Sequence, residues 1–271
     1  MTGKLDGQHA FITGGGSGIG LACARAFAAD GARVSILGRS REKLDAALAE
    51  LRLIGDAEAF SGDVSSESSV RAAITAADAR APLTIAVANA GAGGISPLVV
   101  TEDADWQRIL QTNLTGTFYT FKHAAKAIGR AGGGAMCAIS SIAGVRTHRF
   151  MHAYCVSKAG IDMLVRNAAD ELGSAKVRVN SVCPGLVDTE IAQGLFQTEP
   201  VHQDYLACMP IQRTGVPEDI ANAVRFLCGP ESSWVTGVVL SVDGGHHLRR
   251  GPNYEPFSRA LFGDDITDGR Y

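Results

Sequence analysis

The sequence lacks a charge excess of either sign: 25 Lys and Arg stand against 28 Asp and Glu, a formal net charge of -3. That excludes the basic footprint by which proteins hold nucleic acid. It also lacks paired cysteines. Cys23, Cys137, Cys155, Cys183, Cys208 and Cys228 are scattered, with no CxxC and no His-paired cluster, so neither a disulfide framework nor a zinc site is expected. They read mostly as small apolar core residues. The opening MTGKLDGQHAFIT has no cationic start, apolar run and small-residue cleavage site, which leads to the expectation of a cytoplasmic protein. The longest uncharged stretch, Ala81 to Thr101, is broken by Pro82, Asn89, Gly91, Gly93, Gly94 and Pro97. A buried strand and a loop suit it better than a membrane helix. Glycine is plentiful, 32 in 271, but without a G-X-Y period, so it serves tight turns and close backbone approaches. With 46% hydrophobic residues the chain can bury a large core, which excludes disorder.

Short apolar runs alternate with longer helical patterns. The strand-like runs are His9 to Thr13, Arg33 to Leu37, Glu58 to Ser61, Thr84 to Ala88, Ala135 to Ile139, Lys176 to Val182 and Val238 to Val242. Helical stretches lie near Ile19 to Ala29, Arg41 to Ile54, Ser69 to Ala79, Asp105 to Ile128, Ala153 to Leu172 and Pro217 to Cys228. Strands this apolar, separated by helices, require a sheet covered on both sides and right-handed crossovers. The expected fold is α/β: a single-domain, Rossmann-like, doubly wound parallel sheet of seven strands with helices on both faces. Two segments escape the alternation, Asp188 to Gly215 and the tail from His246 to Tyr271.

The first strand is followed by Thr13-Gly14-Gly15-Gly16-Ser17-Gly18-Ile19-Gly20 and an alanine-rich helix. A glycine-rich turn lets backbone N–H groups approach a pyrophosphate, and the positive helix end favours its charge. Strand before and helix after supply the context that a dinucleotide motif requires, against the alternative of an ordinary loop. The second strand ends in Gly38-Arg39, where NAD-binding members of such folds place a carboxylate on the ribose. Arg39 could instead take a 2′-phosphate through a charge-assisted fork, so NADP is favoured, with NAD possible. The alternative is that Arg39 begins a solvated helix.

Tyr154 and Lys158 stand four apart at a helix start, so both project from one face. Chance alone yields roughly 0.1 such pairs in a chain of this composition. Ser141 follows the fifth strand, and strand end and helix start both lie at the sheet edge where such folds bind ligands. Tyrosine, with an ordinary pKa of about 10, is a poor acid or base at neutral pH, and a neighbouring ammonium would draw it down. A serine hydroxyl could hold a substrate oxygen beside the phenol. Taken singly, Ser141 could be a helix cap, Tyr154 a half-buried aromatic and Lys158 a surface charge.

TGGGSGIG, Asn89-Ala90-Gly91, Asn113, Ser141 and Tyr154-x-x-x-Lys158 together resemble the short-chain dehydrogenases/reductases, in particular a 3-oxoacyl reductase-like member. The resemblance runs from about Leu5 to Gly245 and includes Gly62-Asp63-Val64, Pro184-Gly185-Leu186-Val187-Asp188-Thr189 and Asp243-Gly244-Gly245. It implies a tetrad of Ser141, Tyr154, Lys158 and Asn113, with Tyr154 as general acid or base, Ser141 orienting the oxygen, Lys158 also on the nicotinamide ribose, and Asn113 positioning a relay water. Gly14, Ser17, Gly18, Ile19 and Gly20 would hold the phosphates, and Asp63 and Val64 the adenine. Asn89 and Gly91 would line the cleft, with Pro184 and Gly185 beside it, and Val187 and Thr189 would fix the carboxamide. No metal is implied. Ser17 departs from the basic residue that NADP-preferring members often carry there, leaving Arg39 as the only basic specificity mark.

The resemblance implies a homotetramer and a division into a dinucleotide-binding and catalytic domain, residues 1–245, with a lid at about 188–215. A C-terminal extension, residues 246–271, would dock on the domain or on a neighbouring subunit, because Tyr254, Phe257, Leu261 and Phe262 would otherwise be exposed. The expected activity is interconversion of a medium-sized, mostly apolar ketone and its secondary alcohol, with neither nucleic acid nor membrane as partner. One alternative is a 3-oxoacyl-thioester reductase, with Arg146 and Arg149 taking the phosphates of an acyl-CoA or acyl carrier protein arm, where a solvated rim is the plainer reading. Another is a catalytically silent nucleotide-binding sensor or scaffold. His148 and His152 are expected to titrate near neutrality without a catalytic role.

Overall fold

The computed structural model describes residues 3–270; residues 1, 2 and 271, at the ends of the two expected segments, lie outside the described residues. Seven strands form one sheet: β1 His9–Thr13, β2 Arg33–Gly38, β3 Ala57–Ser61, β4 Ile85–Ala88, β5 Gly134–Ile139, β6 Val177–Pro184 and β7 Val239–Val242. Their order is β3-β2-β1-β4-β5-β6-β7, and every pairing is parallel. This is the doubly wound arrangement expected from the apolar runs.

The period-2 alternation of strand side chains divides the core in two. Ala10 and Ile12 of β1, Ile85 and Val87 of β4, and Ala135 and Cys137 of β5 face one way. They pack with Phe27 of α1 Gly18–Ala29, Leu44 of α2 Arg41–Leu51 and Val224 of a later helix over Pro217–Cys228. Phe11, Ala86 and Met136 face the other way. Against them lie Val70 of α3 Glu67–Arg80, Phe121 of the helix Gly116–Arg130 and Val165 of the helix His152–Leu172. Chain order reverses between β1 and β4, and there the carboxyl ends of the strands open a crevice.

The pattern that predicts one helix from Asp105 to Ile128 instead spans three pieces. α4 Asp103–Leu110 passes into a π-helical turn, Gln111–Thr115, and then α5 Gly116–Arg130. The wide turn carries Asn113, whose buried amide is bonded on both sides, so side-chain bonds outweigh ideal helical spacing there. α6 spans His152–Leu172, and the two segments outside the alternation are also helical. The lid holds α7 Gln193–Phe196 and α8 Glu199–Cys208, and α9 Pro217–Cys228 and then α10 Glu255–Thr267 in the tail follow.

Lid and tail build a third, separate core from Leu186, Val201, Tyr205, Met209 and Tyr254. Four arginines fasten it. Arg250 and the backbone N–H of Asn253 converge on Asp204 of α8, the latter at 2.5 Å. Arg249 donates to the Ala207 carbonyl at 2.8 Å. Arg146 donates to the His247 carbonyl at 2.6 and 2.9 Å, and Arg149 pairs with Glu255. The tail therefore docks on the lid of its own chain. Arg146 and Arg149 hold it, and so form neither the solvated rim expected of them nor the free phosphate-binding rim of the thioester alternative.

The bond from Arg250 holds the Asp204 carboxyl below its ordinary range. A carboxylate lowered by folding contributes stability above its unfolded pKa, and that contribution is lost as pH falls through the folded value. Asp204→Ala is therefore expected to loosen the tail by about 1–2 kcal/mol, as for a hydrogen bond to a charged group. Amide exchange across α10 reports this: faster exchange in the variant at neutral pH, and in the parent protein only below the carboxylate range. Unchanged exchange in the variant would contradict the clamp.

Candidate active site

The turn after β1 is shaped by glycines that no other residue could replace. Gly14 and Gly18 have φ of +66° and +52°, the left-handed region. A Cβ on Gly20 would stand 2.2 Å from the Gly14 carbonyl oxygen. Asn89, just past β4, donates from Nδ2 to the Thr13 and Gly14 carbonyls at 2.9 and 3.2 Å. The Thr13 hydroxyl in turn accepts from the N–H groups of Asn89 and Ala90 at 3.0 and 3.1 Å. β1 and β4 are thus laced together on either side of the crevice. Ser17, at the cap of α1, makes no side-chain cap bond. A bare glycine turn at a helix start is a shape that fits a pyrophosphate.

From this turn a cavity of about 860 Å³ runs along the carboxyl edge of the sheet. Gly14, Ser17, Gly18, Ile19, Arg39, Asp63, Val64, Asn89 and Gly91 line it, and so do Ser141, Tyr154, Lys158, Pro184, Gly185, Val187 and Thr189. Gly20 and Asn113 stand behind the wall. Ser141 caps a short 3-10 turn, Ile142–Gly144, immediately after β5, its hydroxyl accepting from the Ala143 N–H at 3.1 Å. Tyr154 and Lys158 lie on the first turns of α6. The Tyr154 phenol and Ser141 line the same stretch of wall, and the neighbouring serine favours the ionised phenol. Lys158 is buried, 4% exposed. Its Nζ donates to the Ile139 carbonyl at 2.8 Å and lies 5.5 Å from the centre of the Tyr154 ring.

The chain as a whole is similar to known proteins. A family described as enoyl-(acyl carrier protein) reductase matches residues 14–247. A solved short-chain type dehydrogenase/reductase from Mycobacterium ulcerans superposes with a TM-score of 0.95 at 39% identity, covering 98% of each chain. The chain belongs to the short-chain dehydrogenase/reductase family. Galactitol 2-dehydrogenase (L-tagatose-forming) of Cereibacter sphaeroides is 37% identical over 245 residues, 90% of this chain and 96% of the relative. A solved 7α-hydroxysteroid dehydrogenase, complexed with NADH and 7-oxo glycochenodeoxycholic acid, is 37% identical with a TM-score of 0.86, covering 89% of this chain and 94% of that one. As a short-chain dehydrogenase/reductase, the protein is an NAD(P)-dependent oxidoreductase acting on CH–OH groups, interconverting a secondary alcohol and a ketone.

In this dehydrogenase/reductase, burial governs the titrating groups. It pushes Lys158 down to about 8, against Cys183 and Asp162, which favour the charged form. It pushes Tyr154 above its ordinary value, outweighing the nearby Ser141 side chain, which lowers it. The expected draw of the ammonium on the phenol is not what governs Tyr154. The lysine is bonded to Ile139 and faces the ring, so desolvation decides. Burial likewise takes His148 to about 4, away from the neutral range its sequence position suggested, and lowers His152.

Asn113 holds the loop after β4. Its Oδ1 accepts from the Ala92 N–H at 2.7 Å, and its Nδ2 donates to the Ala92 carbonyl and to Ser157 Oγ, both at 3.0 Å. The backbone carbonyl accepts from the Thr117 hydroxyl at 2.7 Å. Both amide protons are committed to protein atoms, so what its side chain does here is position the loop. Sequence reasoning gave no site role to Lys43 and Glu190, which form an ion pair and both line the cavity. It read Tyr254, Phe257 and Leu261 as docking residues of the tail, whereas all three line the cavity, as does Tyr205 of the lid.

Proposed function

We propose that the protein is an NADP(H)-dependent reductase of a medium-sized, mostly apolar ketone, running in reverse as a secondary-alcohol dehydrogenase. One observation carries this reading: Ser141, Tyr154 and Lys158 line the same cavity that begins at the glycine turn. When bound, the nicotinamide supplies or accepts the hydride. The chain's own residues do the rest. Gly14, Ser17, Gly18 and Ile19 offer backbone N–H groups to the phosphates, and Gly20 lets the turn close behind them. Asp63 and Val64 serve the adenine, Asn89, Gly91, Pro184 and Gly185 the walls, and Val187 and Thr189 the carboxamide. Ser141 orients the substrate oxygen and Tyr154 gives it a proton. A phenol held above its ordinary pKa stays protonated at neutral pH, which suits it as the acid of a reduction. Lys158 orients the ribose and restores the phenol's proton, and Asn113 keeps the loop beside it in register.

Arg39, exposed and lining the cavity, supports a 2′-phosphate and hence NADP over NAD. The reading treats residues 1–245 as the dinucleotide-binding and catalytic unit, with a lid at about 188–215, and residues 246–271 as an extension that completes its substrate pocket. It places the enzyme in the cytoplasm, supported by six free cysteines. It also makes the enzyme a homotetramer, supported by the exposure of Phe118, Val156 and Met163 on neighbouring faces of α5 and α6. An acyl-thioester reductase is less well supported, because Arg146 and Arg149 are spent on the tail.

Tyr154→Phe is expected to lower kcat by at least ~100-fold, the scale of lost general acid catalysis, with cofactor affinity nearly intact. Steady-state turnover and a fluorescence titration with NADPH measure the two; retained turnover would remove Tyr154 from the chemistry. Arg39→Asp is expected to reverse the NADP-to-NAD preference in kcat/KM, and an unchanged ratio would place the phosphate elsewhere.

A further inference from the structure

The roof of the cavity has a polar spot in an otherwise greasy surface. Leu195, Phe257 and Leu261 supply the apolar part. Between them and Tyr154, three polar rings from three different elements meet: His148 from the loop before α6, Tyr205 from α8, and Tyr254 from the start of α10. His148 is 6.4 Å from Tyr205 and 6.2 Å from Tyr254, centre to centre, and the two tyrosines stand edge to face at 6.0 Å. His246 stands behind them, 5.6 Å from Tyr205.

The hydrogen-bond account of this cluster does not close. His148 Nδ1 meets the Arg146 carbonyl at 3.1 Å, so it must be the donor. The neutral ring then presents Nε2 as an acceptor. His246 Nε2 meets the Arg250 carbonyl, so its Nδ1 is likewise an acceptor, and that fully buried atom has no partner among the described residues. The Tyr205 and Tyr254 hydroxyls bond each other. Two phenols bring two protons, and one is used between them. The spare O–H reaches neither ring within hydrogen-bond distance, so His148 Nε2 and His246 Nδ1 both lack a donor among the described residues. His148, 5% exposed and lining the cavity, is the acceptor that a ligand can reach.

We propose that His148, with the Tyr205–Tyr254 pair, is a second recognition point that reads a hydroxyl group on the substrate away from the reacting carbon. A hydroxyl both donates, to His148 Nε2, and accepts, from the spare phenol proton. A carboxylate brings no donor and an ammonium no acceptor, so neither completes the cluster. The inference rests on the ketone-reductase reading and narrows its substrate class to hydroxy-ketones and the corresponding diols. It also gives the tail a role in specificity, because Tyr254 belongs to it.

The test is a set of matched ketone pairs, alicyclic and steroidal, each with and without one hydroxyl placed at increasing distance from the carbonyl. The readout is the ratio of kcat/KM within each pair. For the parent enzyme, at least one pair is expected to favour the hydroxy-ketone by ~10-fold or more, the scale of one well-placed hydrogen bond. In His148→Leu and in the isosteric Tyr254→Phe the ratio for that pair should fall toward one, and His148→Gln, which retains an acceptor, should recover part of it. No preference in any pair, or a preference that survives both substitutions, overturns the inference while leaving the ketone-reductase reading intact. Turnover of no ketone or alcohol with either nicotinamide cofactor overturns both.

Discussion

A buried ammonium is the constraint around which this site is built. Lys158 comes from α6 and reaches the last carbonyl of β5, with Asp162 one turn further along the same helix. Depressing its pKa from 10.5 to about 8 corresponds to a cost on the order of 3 kcal/mol for keeping the charge at neutral pH. An apolar side chain of similar volume would serve stability better. The expense makes sense only as chemistry. It also dictates geometry, because the charge is tolerable only where the strand carbonyl is within reach. That fixes how α6 crosses β5, and hence where Tyr154, one turn before Lys158, meets Ser141 at the strand's end. On the opposite side, Asn113 ties the loop after β4 to Ser157, the residue before Lys158. A Cβ on Gly91 in that loop would come within 3.8 Å of Lys158 Nζ. Strand, helix and loop are each held to the same few ångströms by side-chain bonds rather than by helix or strand propensity.

Most of this was legible in the sequence, for reasons that can be named. A parallel sheet covered on both faces needs apolar residues on both faces, so its strands appear as uninterrupted runs. Thr84 to Ala88 differs by one residue from the observed β4, Ile85–Ala88. The glycine turn was legible because steric exclusion leaves a pattern that spacing alone reveals. What was not legible depended on side-chain bonds. The π-helical turn at Asn113 breaks an otherwise good helical pattern and has no signature of its own. The direction of the Tyr154 shift was misread because desolvation depends on depth of burial, which four-residue spacing does not disclose. Arg146 and Arg149 read as a solvated rim, or in the thioester alternative a phosphate rim, because their partners lie about a hundred residues further on.

Lid and tail were underestimated for a different reason. Pro200 and Pro256 each sit in the first turn of a helix, α8 and α10, where a missing N–H costs nothing. Gly263, with φ of +81°, distorts α10 and blurs its period further. Neither helix has a core of its own. Each is stable because Tyr205 and Tyr254 bury against one another and the arginines hold the backbone. Their order is a property of the pair, and so is the pocket roof they form. A match covering 98% of the solved Mycobacterium ulcerans enzyme extends across this tail, whereas the match to the 7α-hydroxysteroid dehydrogenase covers 89% of the chain.

The central claim is that Lys158 is a charge held in a dry place. The direct measurement is a nuclear magnetic resonance titration of its side chain, with the resonance assigned by loss in Lys158→Met. The account predicts a midpoint near 8, well below every exposed lysine in the same spectrum. A midpoint indistinguishable from those lysines would mean that the ammonium is solvated, and the arrangement of β5, α6 and Tyr154 would need another cause.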